Sequence, residues 1–535
     1  MSLLDTAAAR PRGRPAPAAA RRDRRTDAAV VAGLILVALL AFGPYTLDGG
    51  FYSDDWNFAA DYQVASADGF IAGVGNLLEI SVSRPVGTFY AALRAELFGL
   101  DPTGHLIVSA ALGLGVALLL YAVLRVLGMR PLHAGPIALL VLLFPLADSV
   151  RLWSSGSAAN LAICLYLAGL LLALEALPRR GPLALAMHAG SVLLYAASLM
   201  SYEFTLVPVL LSVLLYWRRA PGRPALWRWG ADVLAMAAVL GLATAQTTLE
   251  REPLSALPER AVEVSAGALS VISWSVFPLG DTADVSPARV IGGLIVIVVL
   301  GAALLRVRRG RGAELRPWLL LAAAGTLVAA AGYVVLIAAA GYNPAHRGIA
   351  NRVNVFAALG IAMFVYALVM LAALQLGERL RRPVAPIAIA LTALLVVGYA
   401  VRLQSDQSSW RDAADEQERV LDDLAGRPAP PAGGYLAAFR VPAFAAPGVP
   451  VFHQSWDMTG AARLLWDDDA LQAYPVNNGR SLACAAGGVA VTGEEDDAEL
   501  PYGRTRFVDV ASGRSTRIGS RAACRAWLET REPRS

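Results

Sequence analysis

Two adjacent carboxylates, Asp54 and Asp55, stand among aromatics in the stretch GFYSDDWNF, residues 50–58. A carboxylate held at a cavity can act as a general base on a hydroxyl. Two of them pointing into one cavity repel each other's charge, which brings one closer to the working range of a base. The alternative chemistry for such a pair is to hold a divalent cation, Mg²⁺ or Mn²⁺, since hard cations take carboxylate oxygens. Phe51, Tyr52, Trp56 and Phe58 would set both acids at the aromatic belt of a membrane surface. Glu203, in LMSYEFTLVPVLL, is a third acid placed where an apolar run begins, a position at which acids are seldom idle. Arg84, Arg347 and Arg352 are the basic counterparts, because a guanidinium fork pairs with two oxygens of a phosphate.

The elements that must position these residues are membrane helices. Hydrophobic residues make up 56% of the 535 and charged ones only 16%, with a mean hydropathy of +0.52, which excludes an ordinary soluble enzyme. Apolar runs fit eleven spans, at 28–47, 105–124, 135–150, 159–176, 183–200, 204–217, 231–249, 289–306, 317–340, 352–372 and 384–401. All of the 46 basic residues are Arg. Half of them fall on one side of this arrangement and few in the longer loops opposite, so the Arg-rich side is cytoplasmic. Keeping RVRRGRGAELR inside requires that 261–280 be re-entrant or interfacial. The net charge of +4 follows from this topology and implies no nucleic-acid partner.

The expected organisation is a disordered, Arg-rich cytoplasmic arm at 1–27, a transmembrane domain at 28–401, a linker at 402–433 and an extracytoplasmic α+β domain at 434–535. The first outer loop, 48–104, is the longest in the membrane part and carries the Asp pair. In the last domain RTRFVDV, ASG and RSTRIG read as a hairpin, VPVFHQ as strand-like, and WDDDA as a helix start or solvated turn. Cys484 and Cys524 lie in that outer domain and are expected to form a disulfide, whereas Cys164 lies in a span. His105 and His346 stand alone and suit ordinary hydrogen-bonding roles. LGLGV at 112–116 falls inside a span, where small residues allow close helix packing.

The order of these motifs resembles the GT-C superfamily of integral-membrane glycosyltransferases, in particular the protein O-mannosyltransferase-like enzymes and related bacterial members. The likeness is carried by Asp54-Asp55 close after the first span, by SRPVGTFYAALRAELFGLDPTGH beyond it, by Glu203 with Pro208, and by GYNPAHRGIANRVNVFAALG with Arg347 and Arg352. The resemblance implies an all-α polytopic fold, and an inverting enzyme in the bacterial-type cytoplasmic membrane. Its donor would be a polyprenyl-phosphate sugar. Asp54 or Asp55 would be the base, with Asp54 preferred, and Arg84, Glu203, Arg347 and Arg352 would bind substrate. The acceptor, whether glycan, lipid or protein, stays open. Two other readings are a transporter or flippase of lipid-linked sugars and a non-catalytic membrane scaffold; a transporter would carry polar residues at mid-membrane depth, whereas these cluster at one face.

Overall fold

The computed structural model describes residues 17–246, 253–278, 287–309, 312–339, 341–477, 480–493 and 497–529. Among them nine helices are long and apolar enough to cross a membrane: Asp23–Asp48, Pro102–Val126, Ser155–Ala176, Pro182–Leu199, Arg223–Leu242, Arg289–Arg308, Arg316–Ile337, Ala357–Leu380 and Val384–Ala425. The chain is therefore an integral membrane protein of polytopic helical type, with a small strand-containing domain at its C-terminal end. The first helix starts at Pro17, ahead of the expected boundary at 28, while residues 1–16 of the expected arm lie outside the described residues.

Two of the eleven expected spans are short helices. The run 135–150 yields only Pro131–Leu142, after which the chain breaks at Pro145 into single turns. The reason is Arg151, which is buried. It donates to the carbonyls of Leu142 (2.7 Å), Phe144 (2.5 Å) and Val141 (3.2 Å), so it satisfies the acceptors that a helix end leaves open. A Cβ on Gly113 would come within 2.8 Å of the Arg151 stem, so the small residues of LGLGV give that side chain its passage. The run 204–217 yields Leu206–Arg219, entered through the short turn Glu203–Thr205. The segment expected to be re-entrant or interfacial forms Leu257–Val276; its Arg260 donates to Glu263, Asn343 and the Tyr342 carbonyl, and residues 279–280 lie outside the described residues.

The expected linker at 402–433 is mostly helix. Val384–Ala425 runs on for 42 residues, or roughly 63 Å at 1.5 Å per residue. The apolar signal stops near residue 401, but helix-forming residues continue to Gly426 without an interior Gly. Trp410, Ala413, Gln417, Val420 and Leu424 keep one face buried at helical spacing.

Beyond it, Gln472–Val476, Tyr435–Phe439 and Thr505–Asp509 form parallel neighbours in a four-stranded sheet closed by antiparallel Arg514–Ile518. The last pair is the hairpin read from the sequence. Of VPVFHQ only Val449–Pro450 is strand. A second sheet, Ser481–Cys484, Gly488–Thr492 and Ala498–Pro501, is tied to the final helix Arg521–Glu529 by the disulfide between Cys484 and Cys524, whose Cα atoms are 6.0 Å apart. The helix Ser455–Trp466 links Tyr435–Phe439 to Gln472–Val476; it ends at WDDDA, where Asp467 takes a left-handed φ of 52° and Asp468 accepts the Gly433 N–H.

Candidate functional site

The loop that carries the acids is anchored before it reaches them. The Tyr52 hydroxyl donates to the Trp410 carbonyl (2.7 Å), the Trp153 indole donates to the Tyr52 carbonyl (2.8 Å), and the Tyr45 hydroxyl donates to the Leu152 carbonyl (2.7 Å). Ser53, buried and not glycine, then takes a φ of 49°, a backbone state that persists only where its surroundings force it. This turn starts the helix Asp54–Ser66, in which the rotation of roughly 100° per residue separates the two carboxylates.

Asp55 is buried and its oxygens are occupied. One accepts the Ser155 N–H (2.7 Å) and hydroxyl (2.5 Å), the other the Tyr52 N–H (3.1 Å). Burial pushes its carboxyl up to about 6, opposed by the Ser155 hydroxyl and by the charge of Arg94. The folded protein therefore holds this proton more tightly than the unfolded chain does. Its contribution to stability is fully present below pH 3.8 and is lost as pH rises through about 6. A melting series in detergent should show stability falling between about pH 4 and 6. Asp55→Asn should reduce that slope and also cost about 1–3 kcal/mol, because an amide cannot accept all three donors. Burial raises Asp61 and Asp457 as well, so some slope persists. An unchanged slope in the variant would show that Asp55 does not titrate in this range.

Asp54 points the other way, into a cavity of about 180 Å³. Its walls include Arg84, Arg94, Arg352, Trp153 and Tyr202. Helix Pro85–Phe98 supplies one wall through Gly87, Thr88, Ala91 and Arg94, one stripe at helical spacing; Phe89, Leu93 and Leu97 form an exposed apolar stripe on the same helix. Arg84 lies 4.0 Å over the Tyr202 ring and makes a two-pronged pair with Glu203 (3.1 and 3.0 Å). Arg94 donates to the Ser154 carbonyl (3.0 Å) and hydroxyl and sits 4.4 Å over Tyr90. Arg352 lies 5.1 Å over Trp153; its buried Nε has no hydrogen-bond partner, while Asp54 and Tyr342 are among the groups that its charge feels.

Of the residues singled out in the sequence, Asp54, Arg84 and Arg352 share the cavity and Glu203 holds Arg84 from behind. Asp55 lines a smaller neighbouring cavity with Arg94 and His105. Arg347 does not reach the main cavity: its Nε faces Asp406 at 3.9 Å, in a cluster where Arg402 also pairs with Asp406. His105 Nε2 donates to the Gly99 carbonyl (3.0 Å), and His346 Nε2 shares a hydrogen bond with the Ser270 hydroxyl (2.7 Å). Arg94, Trp153 and Tyr202 also belong to the site, though no motif in the sequence singles them out; the signal for Arg94 is an Arg four residues after Tyr90 in a helix whose only other charge is Glu96.

A divalent cation does not fit the Asp pair. The carboxylates diverge, Asp55 is already filled by donors, three guanidinium groups face Asp54, and the described residues hold no cluster of three His, Cys, Asp or Glu able to bind a metal. The positive surplus favours an anion instead.

No protein-family profile matches this chain, and no curated protein matches it. Among solved structures it is similar to ArnT from Cupriavidus metallidurans in the apo state, with 16% identity and a TM-score of 0.35 over 76% of this chain and 82% of that one. It is likewise similar to the same protein bound to undecaprenyl phosphate, with 15% identity and a TM-score of 0.34 over the same shares.

Proposed function

We propose that this protein is a membrane glycosyltransferase that moves a sugar from a polyprenyl-phosphate-linked donor to a hydroxyl of a cell-envelope acceptor, on the outer face of the cytoplasmic membrane. The observation that carries the reading is the meeting of one carboxylate, Asp54, with the guanidinium groups of Arg84, Arg94 and Arg352 in a single aromatic-walled cavity. In the step this supports, Asp54 takes the acceptor's proton as its oxygen bonds to the anomeric carbon. The bond from that carbon to the phosphate oxygen breaks on the opposite side, with inversion, and the electron pair leaves on the phosphate. The guanidinium groups stabilise that developing charge. Trp153 and Tyr202 carry Arg352 and Arg84 over their rings, which holds those guanidinium groups at the cavity wall.

The two-sided helix Pro85–Phe98 supports a lipid-borne donor in particular. Its polar stripe faces the cavity while Phe89, Leu93 and Leu97 stand exposed, which suits contact with acyl chains beside the reacting phosphate. Radiolabelled polyprenyl-phosphate sugars, presented in lipid extract to the purified protein, test the reading. Label should leave the donor for a new product; movement of intact donor across vesicles with no new product would identify a transporter instead.

A further inference from the structure

The tightest hold on Asp54 comes from the far end of the chain. Helix Ser455–Trp466 of the C-terminal domain lies in step along helix Asp54–Ser66. Trp456 Nε1 donates to Asp54 Oδ1 at 3.1 Å, and Arg463 donates to Asp61 Oδ1 at 3.1 Å. Between these two contacts the backbones nearly touch: a Cβ on Gly460 would sit 2.5 Å from the carbonyl carbon and oxygen of Trp56 and 2.7 Å from the Asn57 nitrogen. Positions 456, 460 and 463 form one stripe on their helix, as 54, 57 and 61 do on theirs.

We propose that this helix completes the catalytic centre, with Trp456 as the residue that positions Asp54. Its indole N–H occupies one carboxylate oxygen and aims the other at the cavity. Gly460 allows the approach that brings the indole within reach, and the ion pair between Arg463 and Asp61 fixes the register. The inference rests on the reading of Asp54 as the base. It gives the C-terminal domain a part in the reaction.

Three variants test it beside Asp54→Asn. Trp456→Phe keeps an aromatic ring and removes the N–H; kcat should fall about tenfold, as for loss of one hydrogen bond to a charged group, with the donor KM within about twofold of wild type. Trp456→Gln loses packing but carries an N–H the same number of bonds from Cβ, so it should keep more activity than Trp456→Phe. Packing alone would produce the opposite order. Gly460→Ala should lower kcat by about tenfold or more, since the atoms it meets are backbone and cannot yield. Membrane insertion and the bond between Cys484 and Cys524 should be intact in all three, as read by non-reducing mass mapping. If Trp456→Phe and Gly460→Ala transfer sugar at the wild-type rate while Asp54→Asn does not, or if Phe outperforms Gln at 456, the positioning role is wrong and the base survives. If Asp54→Asn itself transfers at the wild-type rate, the base reading falls, and this inference falls with it.

Discussion

Asp54→Asn should slow sugar transfer by about 100-fold or more, the lower range for loss of a general base, with folding and insertion unchanged. Asn is nearly isosteric and leaves an oxygen for the Trp456 indole, so packing against Ser455–Trp466 is preserved. What disappears is the charge in a cavity walled by Arg84, Arg94 and Arg352. The neighbouring Asp55→Asn makes the contrast, because its carboxylate is spent on Ser155 and Tyr52 and its loss should be read first in stability. Single-turnover transfer with labelled donor separates the two variants from changes in product release. Wild-type turnover in Asp54→Asn would leave the carboxylate pair without a chemical role.

The second large effect is expected at Arg352. Arg352→Ala should lower kcat/KM for the lipid-linked donor by roughly 100-fold, since charge-assisted contacts to a phosphate contribute about 1.5–3 kcal/mol and tenfold corresponds to about 1.4 kcal/mol. Its buried Nε lacks a hydrogen-bond partner and lies at the wall of the cavity that holds Asp54, so it has a donor to offer an anion there. Arg352→Lys should recover only part of the loss, because an ammonium cannot present two parallel donors or stack on Trp153 as a plane. Arg347→Ala, five residues earlier, should change donor kinetics by no more than about twofold and act on stability through Asp406. Steady-state kinetics across donor concentration decides the matter: equal losses at 347 and 352 would dissolve the assignment of Arg352 to the phosphate.

These two residues also show what the sequence could carry. Asp54, Arg84 and Arg352 are readable because each stands out locally, Asp54 as a charge among aromatics and the two arginines as basic residues near the ends of apolar runs. Local contrast does not encode direction. Arg347 and Arg352 look alike in one dimension, but the tight turn Ile349–Asn354 sends them to different partners. Asp54 and Asp55 part company because they are successive residues of one helix, rotated by roughly 100° from each other, and the turn that starts this helix needs a positive φ at Ser53 that no propensity would assign to a serine. The helix Val384–Ala425 was taken to end where its apolar residues ended, because hydropathy reports the membrane and is silent about the helical turns that follow. Trp456 was invisible for a different reason: it meets Asp54 across 402 residues, and a single sequence holds no signal that pairs them.

That same separation orders events during synthesis. Asp54 is laid down with the first loop, but the indole that donates to it emerges after every candidate span among the described residues has been made. The 42-residue helix joins the membrane part to the last domain, held to the first loop where the Trp410 carbonyl accepts from Tyr52 and to the last domain where Gln417 donates to the Val451 carbonyl. A chain stalled in the membrane, or clipped before residue 455, would hold the carboxylate and the arginines and still lack an aimed base. If transfer needs Asp54 held by Trp456, it begins only once the last domain has docked.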